Sequence, residues 1–123
     1  MYNLISRLFR SFPPEIAHNL TIKALKYIPI TQKNNDNPIL SQHLMGLDFS
    51  NPIGLAAGFD KNAEVINPML SFGFGFVEIG TVTPKPQLGN TKPRIFRIPN
   101  QNAIINHLGF NNNGLDKVKE NLL

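Results

Sequence analysis

Apolar positions recur at helical spacing near the start of the chain and give way to short unbroken apolar runs further on. Leu4, Ile5, Leu8, Phe9 and Phe12 fall on one side of a helix, with Arg7 and Arg10 on the other. The "FPP" that follows interrupts the pattern, because a residue before proline avoids the helical region. Pro14 and Glu15 suit the first turn of a second helix. Its predicted face is Ile16, Leu20 and Ala24, joined by Ala17, Tyr27 and Ile28, and Pro29 ends it. Residues 1–30 therefore read as an amphipathic helical hairpin, and "TQKNNDNP" over 31–38 as a polar linker.

From residue 39 the texture changes. "HLMGLDFSNPIGLAAG" holds two short extended runs around a turn, and "IGLAAG" is apolar on both sides, as in a buried parallel strand. Val65, Ile66, Met69, Leu70 and Phe72 then keep helical spacing, with Pro68 near the helix start. "FGFVEIGTVTP" predicts a second buried strand. Strand, helix and strand at this spacing make a βαβ unit of a parallel α/β architecture. "RIFRIP" and "NAIIN" read as the arms of a hairpin outside that sheet. A last helix follows Gly114, with Val118 and Leu122 on one face.

Charge sharpens this picture. The formal net charge is +4, and residues 1–33, with five basic groups against one acid, carry the whole excess. A basic rim on an apolar hairpin suits an anionic membrane surface better than nucleic acid, which favours basic stripes interleaved with aromatics. No apolar run reaches the ~20 residues that span a bilayer. Cysteine is absent, which excludes disulfides, thiolate metal sites and a cysteine nucleophile. The three histidines show no metal-ligand spacing, so no metal site is expected.

Neither G-x-G-x-x-G nor G-x-x-x-x-G-K-[ST] occurs, which removes the common nucleotide-binding loops. Three other segments carry candidate chemistry. In "AAGFDKNAE" the small residues Ala57 and Gly58 admit a ring or phosphate to the backbone, and Lys61 then sits where it can hold an anion. An ordinary strand-to-helix turn with a solvated lysine fits the same spacing. "EIGTVTP" offers the hydroxyls of Thr81 and Thr83 after the second strand. "INHLGFNNNG" gathers four amides, each able to donate and accept, around a glycine. An asparagine-rich turn and helix cap is the plainer account of it.

Taken together, "NPIGLAAGFDKNAE", "FGFVEIGTVTPKPQLGNTKPRIFRIP" and "AIINHLGFNNNG" closely resemble the quinone-dependent (class 2) dihydroorotate dehydrogenases. The likeness extends to "PPEIAHNL" in the N-terminal helices and covers nearly the whole chain. It implies an FMN-containing (β/α)8 TIM barrel that oxidises dihydroorotate to orotate in pyrimidine synthesis and passes the electrons to a membrane quinone. Matched motif by motif, it implies that Ala57, Gly58, Phe59, Asp60, Lys61 and Thr81 contact FMN. Lys61, Asn106, His107, Leu108, Gly109 and Phe110 would bind the substrate. His18 and Arg97 fall at the positions of the quinone tunnel, with the hairpin over 1–30 as its mouth on the membrane.

The same resemblance sets expectations about what lies elsewhere. The family's serine base and the FMN phosphate site have no counterpart before Leu123, so no catalytic base is assigned in this chain. A (β/α)8 barrel needs ~250 residues. Only its first βαβ portion, the outer hairpin and the N-terminal helices are expected over these 123 residues. The isolated chain is therefore expected to be poorly ordered and inactive unless a complementary C-terminal fragment partners it. The expected location is peripheral, on the cytoplasmic face of a bacterial membrane. The alternatives are a non-catalytic remnant and a small membrane-surface module built on the helical hairpin.

Overall fold

The computed structural model describes residues 9–30 and 36–123. Most of the first predicted helix and of the 31–38 linker lies outside the described residues; Phe9, Arg10 and Ser11 are helical. The described chain runs α1 (Pro14–Leu25), β1 (Gln42–Leu44), β2 (Leu47–Phe49) and β3 (Gly54–Leu55). It continues with α2 (Ile66–Ser71), β4 (Phe76–Val77), β5 (Ile95–Ile98), β6 (Ala103–Asn106) and α3 (Leu115–Leu122). The strands form three separate pairs, β1–β2 and β5–β6 antiparallel and β3–β4 parallel.

Local chemistry sets these elements. Pro14 opens α1 with Glu15 in its first turn, where the exposed backbone N–H groups favour negative charge. Met45 and Gly46, both at positive φ, join β1 to β2 in a two-residue turn whose twist matches the strands. β5 and β6 pair from Ile95 opposite Asn106 to Ile98 opposite Ala103, with Asn102 left-handed in the connecting loop. Gly54 has no side chain because the Phe76 ring lies against it; a Cβ there would come within 2.1 Å of that ring. Phe76 also packs edge-on against Phe49, centroids 5.4 Å apart, which ties the β1–β2 hairpin to β4.

The core lies between α1 and the β3–α2–β4 unit. Ile22 and Leu25 from α1 meet Val65 and Met69, with Leu55, Phe59, Phe74 and Val77 packed around them. Burying side chains of this size stabilises the fold by roughly 1.5–3 kcal/mol each.

Three expectations need correction. The buried stripe of α1 is Ala17, Ile22 and Leu25, while Ile16 (50% exposed), Leu20 (41%) and Tyr27 (87%) face outward. Ala24 and Ile28 are exposed as well. The true inner face is turned by about one residue from the predicted one, roughly 100°. Two polar residues hid it: Thr21 Oγ1 donates to the Ala17 carbonyl at 2.9 Å, and His18 packs edge-on against Phe59.

The "IGLAAG" and "FGFVEIG" runs are not buried on both faces. Gly54, Leu55 and Val77 are half-buried, and Ala56, Ala57 and Phe76 are exposed. Helices α1 and α2 cover the face that carries Leu55 and Val77, whereas the face that carries Phe76 is met by the Phe49 ring of β2 and stays partly open among the described residues. Lastly, Val118 of α3 is buried at 2% exposure but Leu122 is 54% exposed.

Candidate functional site

The end of β3 delivers Lys61 through a turn fixed from beneath. Asp60 is 1% exposed, and its two carboxylate oxygens accept the backbone N–H groups of Glu64 and Val65, each at 2.8 Å. Gly58 lies at φ +106°, and nothing stands within 4 Å of where its Cβ would be. The turn is thus closed on its inner side and open on its outer side. Lys61 is half-buried and forms no ion pair among the described residues. Burial, helped by the positive charge of Arg94, pulls its amine below the usual lysine range. A desolvated ammonium without a counter-ion is a ready partner for an anion.

Two further strand ends close on the same place. After β4, the Gly80 N–H donates to the Asp60 carbonyl at 3.2 Å, which sets Thr81 beside the Lys61 turn. After β6, the 106–110 loop rests on the 87–94 segment. Asn90 donates its N–H to the Leu108 carbonyl (3.0 Å) and its Nδ2 to the His107 carbonyl (2.7 Å). Gln87 Nε2 donates to the Gly109 carbonyl at 2.9 Å.

The asparagine cluster divides by role. Asn112 is buried; its Oδ1 accepts the N–H groups of Thr83 (3.2 Å) and Gly114 (2.9 Å), and its Nδ2 donates to the Phe110 carbonyl (2.8 Å). The Asn113 N–H donates to Asn62 Oδ1 at 2.9 Å. Asn106 Oδ1 accepts the Leu108 N–H weakly, at 3.4 Å. Asn111 differs: its Oδ1 is buried with no hydrogen-bond partner among the described residues.

Two cavities meet here. The smaller, about 270 Å³, is lined by Ala57, Gly58, Lys61, Gly80, Thr81 and the loop Asn106, His107, Leu108, Gly109 and Phe110. The larger, about 660 Å³, runs beneath α1 and is lined by His18, Phe59, Asp60, Arg97 and Asn111, among others. Gly58, Lys61, Asn106 and Leu108 belong to both walls. The residues predicted from two motifs far apart in sequence thus converge, while Phe59 and Asp60 fall on the side of the larger cavity. His18 meets the Phe59 ring at a centroid distance of 5.2 Å, and burial lowers its pKa from the ordinary 6.5. Arg97 donates to the carbonyls of Phe9, Arg10 and Phe12, closing the end of the first helix over the cavity.

Sequence reasoning passed over Arg94 and Gly80, and it included Asn111 without setting it apart from the other three amides. Arg94 is 6% exposed and bonds to Glu15, 79 positions away, and to two backbone carbonyls, none of which a motif reveals. Gly80 was detectable as the glycine between the strand and Thr81.

The residues fit a planar flavin. Gly58 leaves open backbone for a ring face, Lys61 supplies a positive charge with no ion pair among the described residues, and Asn111 Oδ1 is an unmet acceptor on the wall of the larger cavity. No group of three or more metal-ligating side chains occurs among the described residues, and no described helix is long and apolar enough to cross a membrane.

Comparison with known proteins identifies the family. The profile of the family described as dihydroorotate dehydrogenase matches residues 39–123. The dihydroorotate dehydrogenase (quinone) of Xanthobacter autotrophicus is 51% identical over 117 residues, covering 94% of this chain and 33% of that protein. That of Nitrosomonas europaea is 50% identical over 124 residues, covering 99% and 36%. The chain thus spans about a third of the length of the curated relatives it matches. Among solved structures, DHODH from Eimeria tenella in complex with ferulenol superposes with a TM-score of 0.80 at 55% identity, covering 89% of this chain and 29% of the other.

Proposed function

The chain belongs to the dihydroorotate dehydrogenase family, in its quinone-dependent class, and on that footing we propose that it forms the first part of a site that oxidises dihydroorotate to orotate. The observation that carries the proposal is the shared wall. Lys61 and Asn106 border both the small cavity and the larger cavity beneath α1, so one bound ring there faces two chambers.

The residues that would hold FMN are Ala57, Gly58 and Lys61 at the end of β3 and Thr81 after β4, with Phe59 and Asp60 shaping the turn. The chemistry that bound FMN supplies is two-electron transfer from dihydroorotate onward to a quinone. Lys61 contributes a fixed positive charge where negative charge accumulates, and its partial burial strengthens that contribution. Asn106, with the backbone of His107, Leu108, Gly109 and Phe110, orients the substrate ring in the small cavity. Asp60 holds Lys61 in register through its two backbone hydrogen bonds. Removal of the substrate proton is assigned to no residue of this chain.

The larger cavity is the quinone site in this reading. Ala17 and Ile22 supply apolar lining, while His18 and Arg97 supply polar groups for a quinone oxygen. The exposed Ile16 and Leu20 on the outer face of α1, with Tyr27 in the turn just after it, suit peripheral contact with a membrane, on the cytoplasmic face of a bacterial cell. A complementary C-terminal polypeptide would supply the remaining strands, the proton acceptor and the phosphate site. With it the reaction serves pyrimidine synthesis.

The test is dihydroorotate-dependent reduction of a short-chain ubiquinone by the protein co-expressed with the C-terminal two-thirds of a relative. Activity that disappears with Lys61→Met supports the proposal. Activity that survives the substitution unchanged contradicts it.

A further inference from the structure

Arg94 makes five side-chain hydrogen bonds among the described residues, and the proposed reaction leaves it unused. Its Nη2 donates to Glu15 Oε1 at 2.6 Å and its Nε to Oε2 at 3.2 Å, both on α1. Its Nη1 donates to the carbonyls of Leu88 (2.6 Å) and Asn90 (2.9 Å). Its own carbonyl accepts the His107 N–H at 3.0 Å. Asn90, held by that guanidinium, in turn holds the carbonyls of His107 and Leu108. There is no slack between them: a Cβ on Gly89 would stand 2.2 Å from the Leu108 carbonyl oxygen and 2.9 Å from Arg94 Nη1.

We infer that Arg94 is a positioning residue: one buried guanidinium fixes α1, a wall of the larger cavity, in register with the 106–110 loop, a wall of the smaller. A buried ion pair is a weak source of net stability, whereas the planar fork fixes direction as well as distance. The fork uses all three of its nitrogens here, and a lysine, whose three donors radiate from one nitrogen, cannot reproduce that spread. The mechanical link stands on geometry alone. Its consequence for substrate rests on the proposed function, in which the 106–110 loop binds the pyrimidine.

Amide hydrogen exchange on the full chain tests the link without any ligand. Glu15→Gln removes a charge that touches neither Asn90 nor His107. Protection of those two amides is expected to fall about tenfold, the loss of one charge-assisted hydrogen bond passed along the relay. The Met69 amide, bonded to the Val65 carbonyl in the core, serves as the reference and is expected to hold. Arg94→Lys is expected to reproduce the same local loss. Unchanged protection at Asn90 and His107 overturns the inference, and so does an equal fall at Met69, which marks global destabilisation only. In the protein complemented by a relative's C-terminal segment, Glu15→Gln is expected to weaken orotate binding, and adding Asn90→Ala to add little. Fully additive losses overturn the relay. Orotate binding by the unsubstituted protein tests the functional reading separately, and the exchange result does not depend on it.

Discussion

The Arg94 guanidinium meets the Glu15 carboxylate at 2.6 Å although 79 positions separate them. This contact binds the N-terminal helix to the hairpin side of the molecule, and Lys92 adds a second, more exposed cation 3.2 Å from the same carboxylate. Arg94→Ala removes the buried partner of a half-buried Glu15; unpairing a fully buried ion pair costs about 3–5 kcal/mol, an upper bound here. Urea unfolding is expected to show a loss near the lower end, since Lys92 still reaches the carboxylate. A loss below ~1 kcal/mol would place the pair among surface salt bridges.

Acid weakens α1 in two steps. Burial holds His18 below its ordinary value of 6.5, so the unfolded chain binds the proton first and stability falls as pH drops below that value. The hydrogen bond from Arg94 is the main cause holding Glu15 below its ordinary 4.5; its contribution is full above that value and is lost as pH falls through the lower, folded value. Denaturation midpoints across pH 3–8 are expected to show both limbs. His18→Gln should flatten the upper limb and Glu15→Gln the lower.

In the proposed site, Lys61 trades stability for binding. Its burial lowers its pKa, so the charged form costs folding free energy at neutral pH, a cost relieved as pH rises toward 10.5. Lys61→Met is expected to raise the melting temperature of the ligand-free protein while abolishing flavin retention. A drop in melting temperature would mean that the amine has a stabilising partner.

Gly58→Ala attacks the same site through the backbone. At φ +106° an alanine is strained by roughly 1–2 kcal/mol, and its methyl group projects into the open face above the turn. The expected result is a modest loss of stability with a disproportionate loss of flavin. Asp60→Asn removes one of two acceptors for the Glu64 and Val65 amides, and leaving a buried N–H unpaired costs about 1–3 kcal/mol.

Much of this was legible in the sequence where local chemistry decides the outcome. The arms "RIFRIP" and "NAIIN" pair as read, the helix after Gly114 begins at Leu115, and Pro68 sits in the first turn of α2. The motif residues Ala57, Gly58, Lys61, Thr81 and Asn106 to Phe110 line one cavity. What the sequence concealed depends on distant partners. The inner face of α1 is marked by Thr21 and His18, whose polar groups are satisfied by the Ala17 carbonyl and the Phe59 ring edge. Arg94 reads as one more surface cation until its carbonyl acceptors and Glu15 are in place. Among the asparagines, composition could not separate Asn112, fully engaged inside, from Asn111, whose Oδ1 faces an unmet bond.

Flavin retention tests the central claim most directly: that Gly58, Lys61 and Thr81 form one side of an FMN site. The chain is purified alone, with a relative's C-terminal segment, and with that segment plus Lys61→Met. The account predicts yellow protein with stoichiometric FMN only in the second preparation. Equal FMN in the second and third, or none in any, would contradict it.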